Sequence, residues 1–253
     1  MRMSTVALER LFEEPYASVL CYPRPTRTEL RKRLKELQRL GITALEFTGE
    51  KQVGNTFVLG KGCIGIVALA HRNNERVALK IRRTDADRAS MLREAKLLKK
   101  ANLADIGPEL LDASKNFLVM QFVDGELFPK WLQKNVSETR AKVALSSILE
   151  QCWRLDHAGL DHGELSHAPK HAIIDKKDQV FIVDFETAST NRKPANVTSM
   201  CHYLFFSETA DKIAEKLGKK NLKAIMNALR RYKGDMNREN FSIVLESCGL
   251  QTT

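Results

Sequence analysis

The sequence predicts an α+β protein in two lobes, and three observations carry that expectation. Strand-like segments crowd residues 57–122, whereas helical segments dominate from Ser137 onward. Gly107-Pro108 and Asp124-Gly125 punctuate the chain near the change. With 253 residues, 43% hydrophobic and 28% charged, the chain is long enough to bury a large core and divide into two compact parts. Strands followed by helices fit α+β architecture better than alternating βα units do.

Taken in order, residues 5–14 read as a short helix, and Pro23 and Pro25 break the chain beyond it. Thr28 stands where a cap is expected for a helix in which Leu30, Leu34, Leu37 and Leu40 recur at spacings of three and four, and Gly41 ends it. Residues 42–47 are strand-like, and 57–59, 65–70 and 76–81 read as three further strands. A helix is expected from Asp85 or Asp87 to about Ala101, with Ala89, Leu92, Leu97 and Leu98 on one face. Beyond Gly107-Pro108, residues 110–113 and 116–122 are strands, 127–134 a short helix, and Ser137 opens a long helix to His157 that Gly159 stops. Residues 172–174 and 180–185 form a hairpin across the turn Asp175-Lys-Lys-Asp. Helices are expected near 196–217, 221–233 and 238–248.

Composition excludes several classes. The five cysteines, Cys21, Cys63, Cys152, Cys201 and Cys248, form no CxxC pair, which argues against a zinc ribbon or a disulfide framework and suits a reducing compartment. No apolar run approaches the ~18 residues of a membrane span, and the first residues lack the apolar core of a signal peptide. A soluble cytoplasmic protein without a membrane partner is expected. Lys and Arg number 41 against 31 Asp and Glu, a formal charge of +10. The middle of the chain is acidic and the flanks are basic, so the positive field belongs to the periphery, where it can attract nucleic acid or serve only as a solvated surface.

The chemistry is carried by residues 57–190. Gly60, Gly62 and Gly65 with Val67 fall in Leu59-Gly-Lys-Gly-Cys-Ile-Gly-Ile-Val, and a strand rather than a helix follows. A strand–glycine turn–strand suits a lid over ATP phosphates, where missing side chains let backbone amides approach the anions. A glycine-rich hairpin without a ligand is the bland alternative. Lys80 ends the apolar strand Val77-Ala-Leu-Lys80, a costly position for an ammonium unless an anion meets it. Glu94, in the next helix, is the candidate ion-pair partner that holds Lys80 against α- and β-phosphates. Met120 is placed behind an adenine, with backbone groups from Gln121 to Val123 at its edge. Asp184 follows four apolar strand residues and calls for a cation, for which Mg²⁺ bridging phosphates is a natural choice. Glu164 lies in His162-Gly-Glu-Leu-Ser. His162, His167 and His171 invite a zinc reading, which Pro169 weakens by breaking any helix that would align them.

Glycine lid, strand lysine, helix glutamate, HGxLS loop and DF-x motif in this order resemble the protein-kinase superfamily, and within it the atypical RIO-like branch. His162-Gly-Glu-Leu-Ser is similar to the HGDLS loop of RIO kinases rather than to the HRDLK of ordinary protein kinases, and the whole chain most resembles an archaeal group of RIO-like serine/threonine kinases. The resemblance implies a two-lobed kinase-like fold. Its N-lobe, residues 57–122, would be an antiparallel sheet with one regulatory-type helix. Its C-lobe, residues 123–253, would be mainly helical and lack a long activation segment. It implies ATP and Mg²⁺ as cofactors, Glu164, Lys80 and Asp184 as catalytic residues, and Asp184 as the metal ligand. Nucleotide contacts would come from Gly60, Gly62, Gly65, Val67, Ala78, Lys80, Glu94, Met120, Gln121 and Val123. The implied activity is serine/threonine protein kinase or ATPase, and the alternative is a catalytically silent, ATP-binding scaffold acting on RNA or a ribonucleoprotein. Two departures stand out: the family's catalytic Asp is Glu164, and its metal-binding Asn falls on Pro169, beside Lys170 and His171.

Residues 1–56 read as an N-terminal extension. The helix at 27–39 carries Arg27, Arg31, Lys32, Arg33, Lys35 and Arg39, set opposite its leucines, and with a β-wing over 42–57 it resembles part of a winged-helix unit. Arg230, Arg231 and Lys233 make the C-terminal helices basic. Both flanks are candidate contacts for RNA phosphates, and a protein substrate would bind elsewhere than in the usual peptide groove.

Overall fold

The computed structural model describes residues 4–167 and 169–250. Its backbone is α+β: an antiparallel sheet forms the N-terminal part and helices the C-terminal part, in two compact units. The first unit runs to Lys99 and takes in Glu109–Phe122; the second holds Lys100–Pro108 and everything from Val123 on.

In the first unit, strands β1 (Ser4–Ala7), β2 (Ile42–Phe47), β3 (Lys51–Val53), β4 (Thr56–Val58), β5 (Gly60–Lys61), β6 (Gly65–Arg72), β7 (Glu75–Arg82), β8 (Leu110–Ala113) and β9 (Phe117–Gln121) follow in sequence. The main sheet runs β1-β2-β6-β7-β9-β8 with β5 alongside β6, every pair antiparallel. Val77 to Ile81 are buried without alternation, as in a strand covered on both faces. Leu11, Leu20, Leu37, Leu45, Ile66, Leu79 and Phe117 form the core beside them.

Residues 5–14 are not the expected helix. Val6 and Ala7 pair with Leu45 and Ala44 at the sheet edge, and a 3₁₀ turn (Leu8–Phe12) follows, because a sheet partner overrides weak local propensity. The wing expected over 42–57 divides: β2 joins the main sheet, while β3 and β4 form a separate two-stranded ribbon. A short helix α1 (Tyr16–Leu20) precedes α2 (Arg27–Arg39). The cap of α2 is Thr26, not Thr28: its hydroxyl accepts from the Glu29 amide at 3.2 Å, which makes Thr26-Arg-Thr-Glu29 the capping segment.

Arg33, expected on a solvated face, is 0% exposed. It lies three residues after Leu30 and four before Leu37, which places it on the apolar stripe. Its guanidinium donates to the Leu20 and Arg82 carbonyls at 2.6 Å each, to Glu29 Oε1 at 2.9 Å and to Asn116 Oδ1 at 3.3 Å. Burial opposes ionised Glu29, but the Arg33 hydrogen bond and charge outweigh it and hold the carboxyl below its usual range. Helix α3 (Leu92–Asn102) starts later than Asp85 because Arg83 pairs with Asp85 at 2.7 Å and Arg82 donates to the Arg83 and Arg88 carbonyls, fixing that segment in an irregular loop.

In the second unit, α4 (Phe128–Leu132) precedes α5 (Glu138–His157), whose cap is Ser137 as expected, accepting from the Arg140 amide at 3.3 Å. Strands β10 (Gly125–Leu127), β11 (Ala172–Asp175) and β12 (Val180–Ile182) make a small antiparallel sheet. The helix expected at 196–217 is two, α6 (Asn196–Phe206) and α7 (Thr209–Leu217), parted by extended Ser207. Asn221 and Asn237 cap α8 (Leu222–Gly234) and α9 (Arg238–Ser247). Buried Asp156, at the end of α5, accepts from the Asn196 amide at 2.8 Å, Asn196 Nδ2 at 2.7 Å, the Val197 amide at 3.2 Å and Tyr232 Oη at 2.9 Å. This knot ties α5, α6 and α8 together at the base of the loop that carries Glu164. Among the described residues no helix is long and apolar enough to cross a membrane.

Candidate functional site

In the first unit the glycine segment folds as strand–turn–strand. Gly60 and Lys61 pair with Val67 and Ile66, and the Gly62 amide donates to the Gly65 carbonyl at 2.8 Å. Gly65 has little room for a side chain: a Cβ there would crowd the Ile81 carbonyl oxygen at 3.0 Å and Lys80 Cγ at 3.2 Å. The hairpin therefore lies directly against the lysine. Register sets Lys80 opposite Val67 on one side and Leu118 on the other, and pairs Ala78 with Met120. Lys80 Nζ donates to Glu94 Oε1 at 2.8 Å, with the two side chains 7% and 5% exposed. A buried ammonium held this way is a preorganised charge for an anion.

The backbone expected to meet an adenine is partly committed. The Gln121 amide donates to the Glu109 carbonyl at 2.9 Å, and the Val123 carbonyl accepts from the Gly125 amide at 3.0 Å. The Gln121 N–H is thus withdrawn from the expected nucleotide contacts, because β8 turns back beside it.

In the second unit, β11 and β12 set the loop around Glu164. Val183 N–H donates to the His171 carbonyl at 3.0 Å, extending the hairpin and setting His171 opposite Val183, next to Asp184. Asp184 adopts φ +71, a left-handed conformation rare for aspartate, and backbone strain of this kind collects at functional sites. Phe185 packs on His162 at 5.2 Å between ring centroids, and His171 meets the same ring edge-on at 5.1 Å. His162 Nε2 lies 3.1 Å from the Val183 carbonyl, which only accepts, so Nε2 carries the proton. Burial and the neighbouring His171 push the His162 pKa down to about 4, despite that hydrogen bond.

Glu164 is 35% exposed and its Oε2 lies 3.0 Å from Nε2 of His171, whose side chain is 1% exposed. One ligand atom each from Glu164, His171 and Asp184 lie within 4.8 Å of one another. The sequence offers His171 only within the zinc reading with His162 and His167, not among the catalytic, nucleotide or magnesium residues. Its signal was register: counting outward from the Asp175-Lys-Lys-Asp turn pairs Ala172 with Ile182 and puts 171 beside 183. Pro169 and Lys170 are exposed, and the His167 side chain lies outside the described residues.

The loop is pinned from below. Arg192 Nε donates to Asp161 Oδ2 at 2.7 Å and Arg192 Nη2 to the Thr187 carbonyl at 2.7 Å, while Thr187 Oγ1 donates to the His162 carbonyl at 3.0 Å. Gly163 has φ +92, and a Cβ there would collide with Arg192 and crowd the Thr187 carbonyl. Gly163→Ala is expected to destabilise the loop by more than ~1 kcal/mol, read as a lowered denaturation midpoint; an unchanged midpoint would contradict this account of the loop.

A family model described as RIO domain matches residues 69–201, just over half of the chain. No curated protein sequence matches it.

Proposed function

The chain belongs to the RIO family of atypical kinases and ATPases, and from that premise we propose that it binds ATP with a divalent metal and releases or transfers the terminal phosphoryl group. The observation that carries this is the Lys80–Glu94 pair at 2.8 Å, buried against Gly65. Glu94 fixes the ammonium so that it meets the α- and β-phosphates without reorganising, and the missing side chains at Gly60, Gly62 and Gly65 let the hairpin backbone come close to the anions, although the Gly62 N–H itself is spent on the Gly65 carbonyl. Asp184 supplies a metal ligand, and metal when bound neutralises charge on the transferring group. Glu164 orients the incoming hydroxyl or water and accepts its proton. Phosphoryl transfer asks little covalent chemistry of a protein, so positioning and charge account for most of the rate.

Lys80→Ala is expected to weaken ATP binding ~10- to ~150-fold, the ~1.5–3 kcal/mol of a hydrogen bond to a charged group. Calorimetric titration of ATP into both proteins, each first shown to be folded, checks this; equal affinities would remove Lys80 from the site. A specific observation favours the second reading, of a silent ATP-binding module acting on RNA or a ribonucleoprotein. Glutamate stands at 164 and proline at 169, where the family carries aspartate and asparagine. Exposed Arg31, Lys32 and Lys35 on α2 are the basic residues such a module would offer to phosphates.

A further inference from the structure

We infer that Glu164, His171 and Asp184 form a divalent-metal site in which His171 supplies a nitrogen ligand, so that Mn²⁺ is bound in preference to Mg²⁺. The inference deepens the metal half of the proposed function and rests on it for the metal's role. The site itself rests on the second unit alone.

Three observations point to a ligand here. One ligand atom from each residue lies within 4.8 Å of the others. Two ligands on opposite sides of an ion with bonds of ~2.1 Å stand ~4.2 Å apart, so a small rotation of either carboxylate closes the set. His171 is fully buried, and among the described residues neither ring nitrogen has a hydrogen-bond partner. An unsatisfied buried imidazole is costly, and Nε2 is aimed at Glu164 Oε2 from 3.0 Å without hydrogen-bond geometry. Finally, the backbone holds His171 at its post through the Val183 amide, while Asp184 keeps a strained φ of +71 beside it.

An imidazole ligates a metal in its neutral form, through a ring nitrogen that no proton occupies. The ligand chemistry then fixes the preference. Mg²⁺ takes hard oxygen donors almost exclusively, whereas Mn²⁺ accepts carboxylates, waters and phosphate oxygens together with an imidazole. Two residues past the proline that replaces asparagine, His171 restores a second side-chain ligand beside Asp184 but changes its element from oxygen to nitrogen. Glutamate at 164 reaches one methylene farther than aspartate. A carboxylate has two oxygens, so ligation through one does not prevent the other from accepting a proton from an incoming hydroxyl.

Metal binding is measured on the full chain without nucleotide. Free Mn²⁺ is followed by its electron paramagnetic resonance signal, Mg²⁺ competes in a second titration, and pulsed spectra of the bound Mn²⁺ are searched for coupling to an imidazole nitrogen. The expected result is Mn²⁺ bound at least ~10-fold tighter than Mg²⁺, with nitrogen coupling that His171→Asn removes together with most of that preference. Absence of nitrogen coupling in the wild type, or coupling and affinity unchanged in His171→Asn, overturns the inference. If His171→Asn does not fold, the wild-type spectrum and competition decide alone. Separate ATP titrations distinguish the two failures: ATP binding without nitrogen coupling sinks this site and spares the nucleotide reading, and nitrogen coupling without ATP binding does the reverse.

Discussion

Glu164→Gln is expected to lower ATP turnover at least ~10²-fold, the low end for a general acid–base group, while ATP affinity measured without metal stays nearly unchanged. The glutamine is isosteric, so the loop keeps its shape. What is lost is the acceptor capacity of a carboxylate that is 35% exposed and thus reachable by substrate. The extra methylene of glutamate would misplace an oxygen in a loop built for aspartate, and ~1 Å of misplacement costs ~10²-fold in rate. Here the loop differs too: Pro169 replaces the asparagine and His171 lies against Glu164. We therefore expect the wild type to be slow but active. Single-turnover phosphate release, compared between wild type and Glu164→Gln, measures the effect. Wild-type rates in the variant would leave Glu164 without a catalytic part.

The second large effect is on stability. Arg33→Ala is expected to cost about 3–5 kcal/mol, because removing one partner of a buried charged network strands the others. The loss leaves the Leu20 and Arg82 carbonyls without their donor in the interior of the first unit and takes the partner from Glu29, which is 29% exposed at its edge. Whole domains are stable by only about 5–15 kcal/mol, so the variant should melt far earlier or fail to accumulate. Denaturant unfolding of wild type and variant checks this, and a loss under ~1 kcal/mol would show that the network is replaceable by water.

The order of elements was legible because most of it is local. Caps, turns and apolar spacing gave α5, α9 and the β11–β12 hairpin, and an apolar strand ending fourteen residues before a helix glutamate placed Lys80 near Glu94. What escaped was set by partners distant in sequence. Strand β1 exists only because β2, some forty residues on, pairs with it. The Gln121 amide is taken by Glu109, which no propensity of residues 116–122 reveals. Arg33 reads as one more basic residue in a basic helix until its phase with Leu30 and Leu37 is counted. His171 looks like a loop histidine until hairpin register carries it alongside Asp184. In each case the chemistry depended on which face or partner a residue met, and residue type alone does not say that.

The most direct measurement is phosphate release from ATP by the purified wild-type chain, with Mg²⁺, with Mn²⁺ and without divalent ion, beside Asp184→Asn. A slow, metal-dependent release that Asp184→Asn abolishes is the predicted result. ATP binding with no release under any metal, and with no transfer to any acceptor including water, would contradict catalysis and leave the silent nucleotide-binding module.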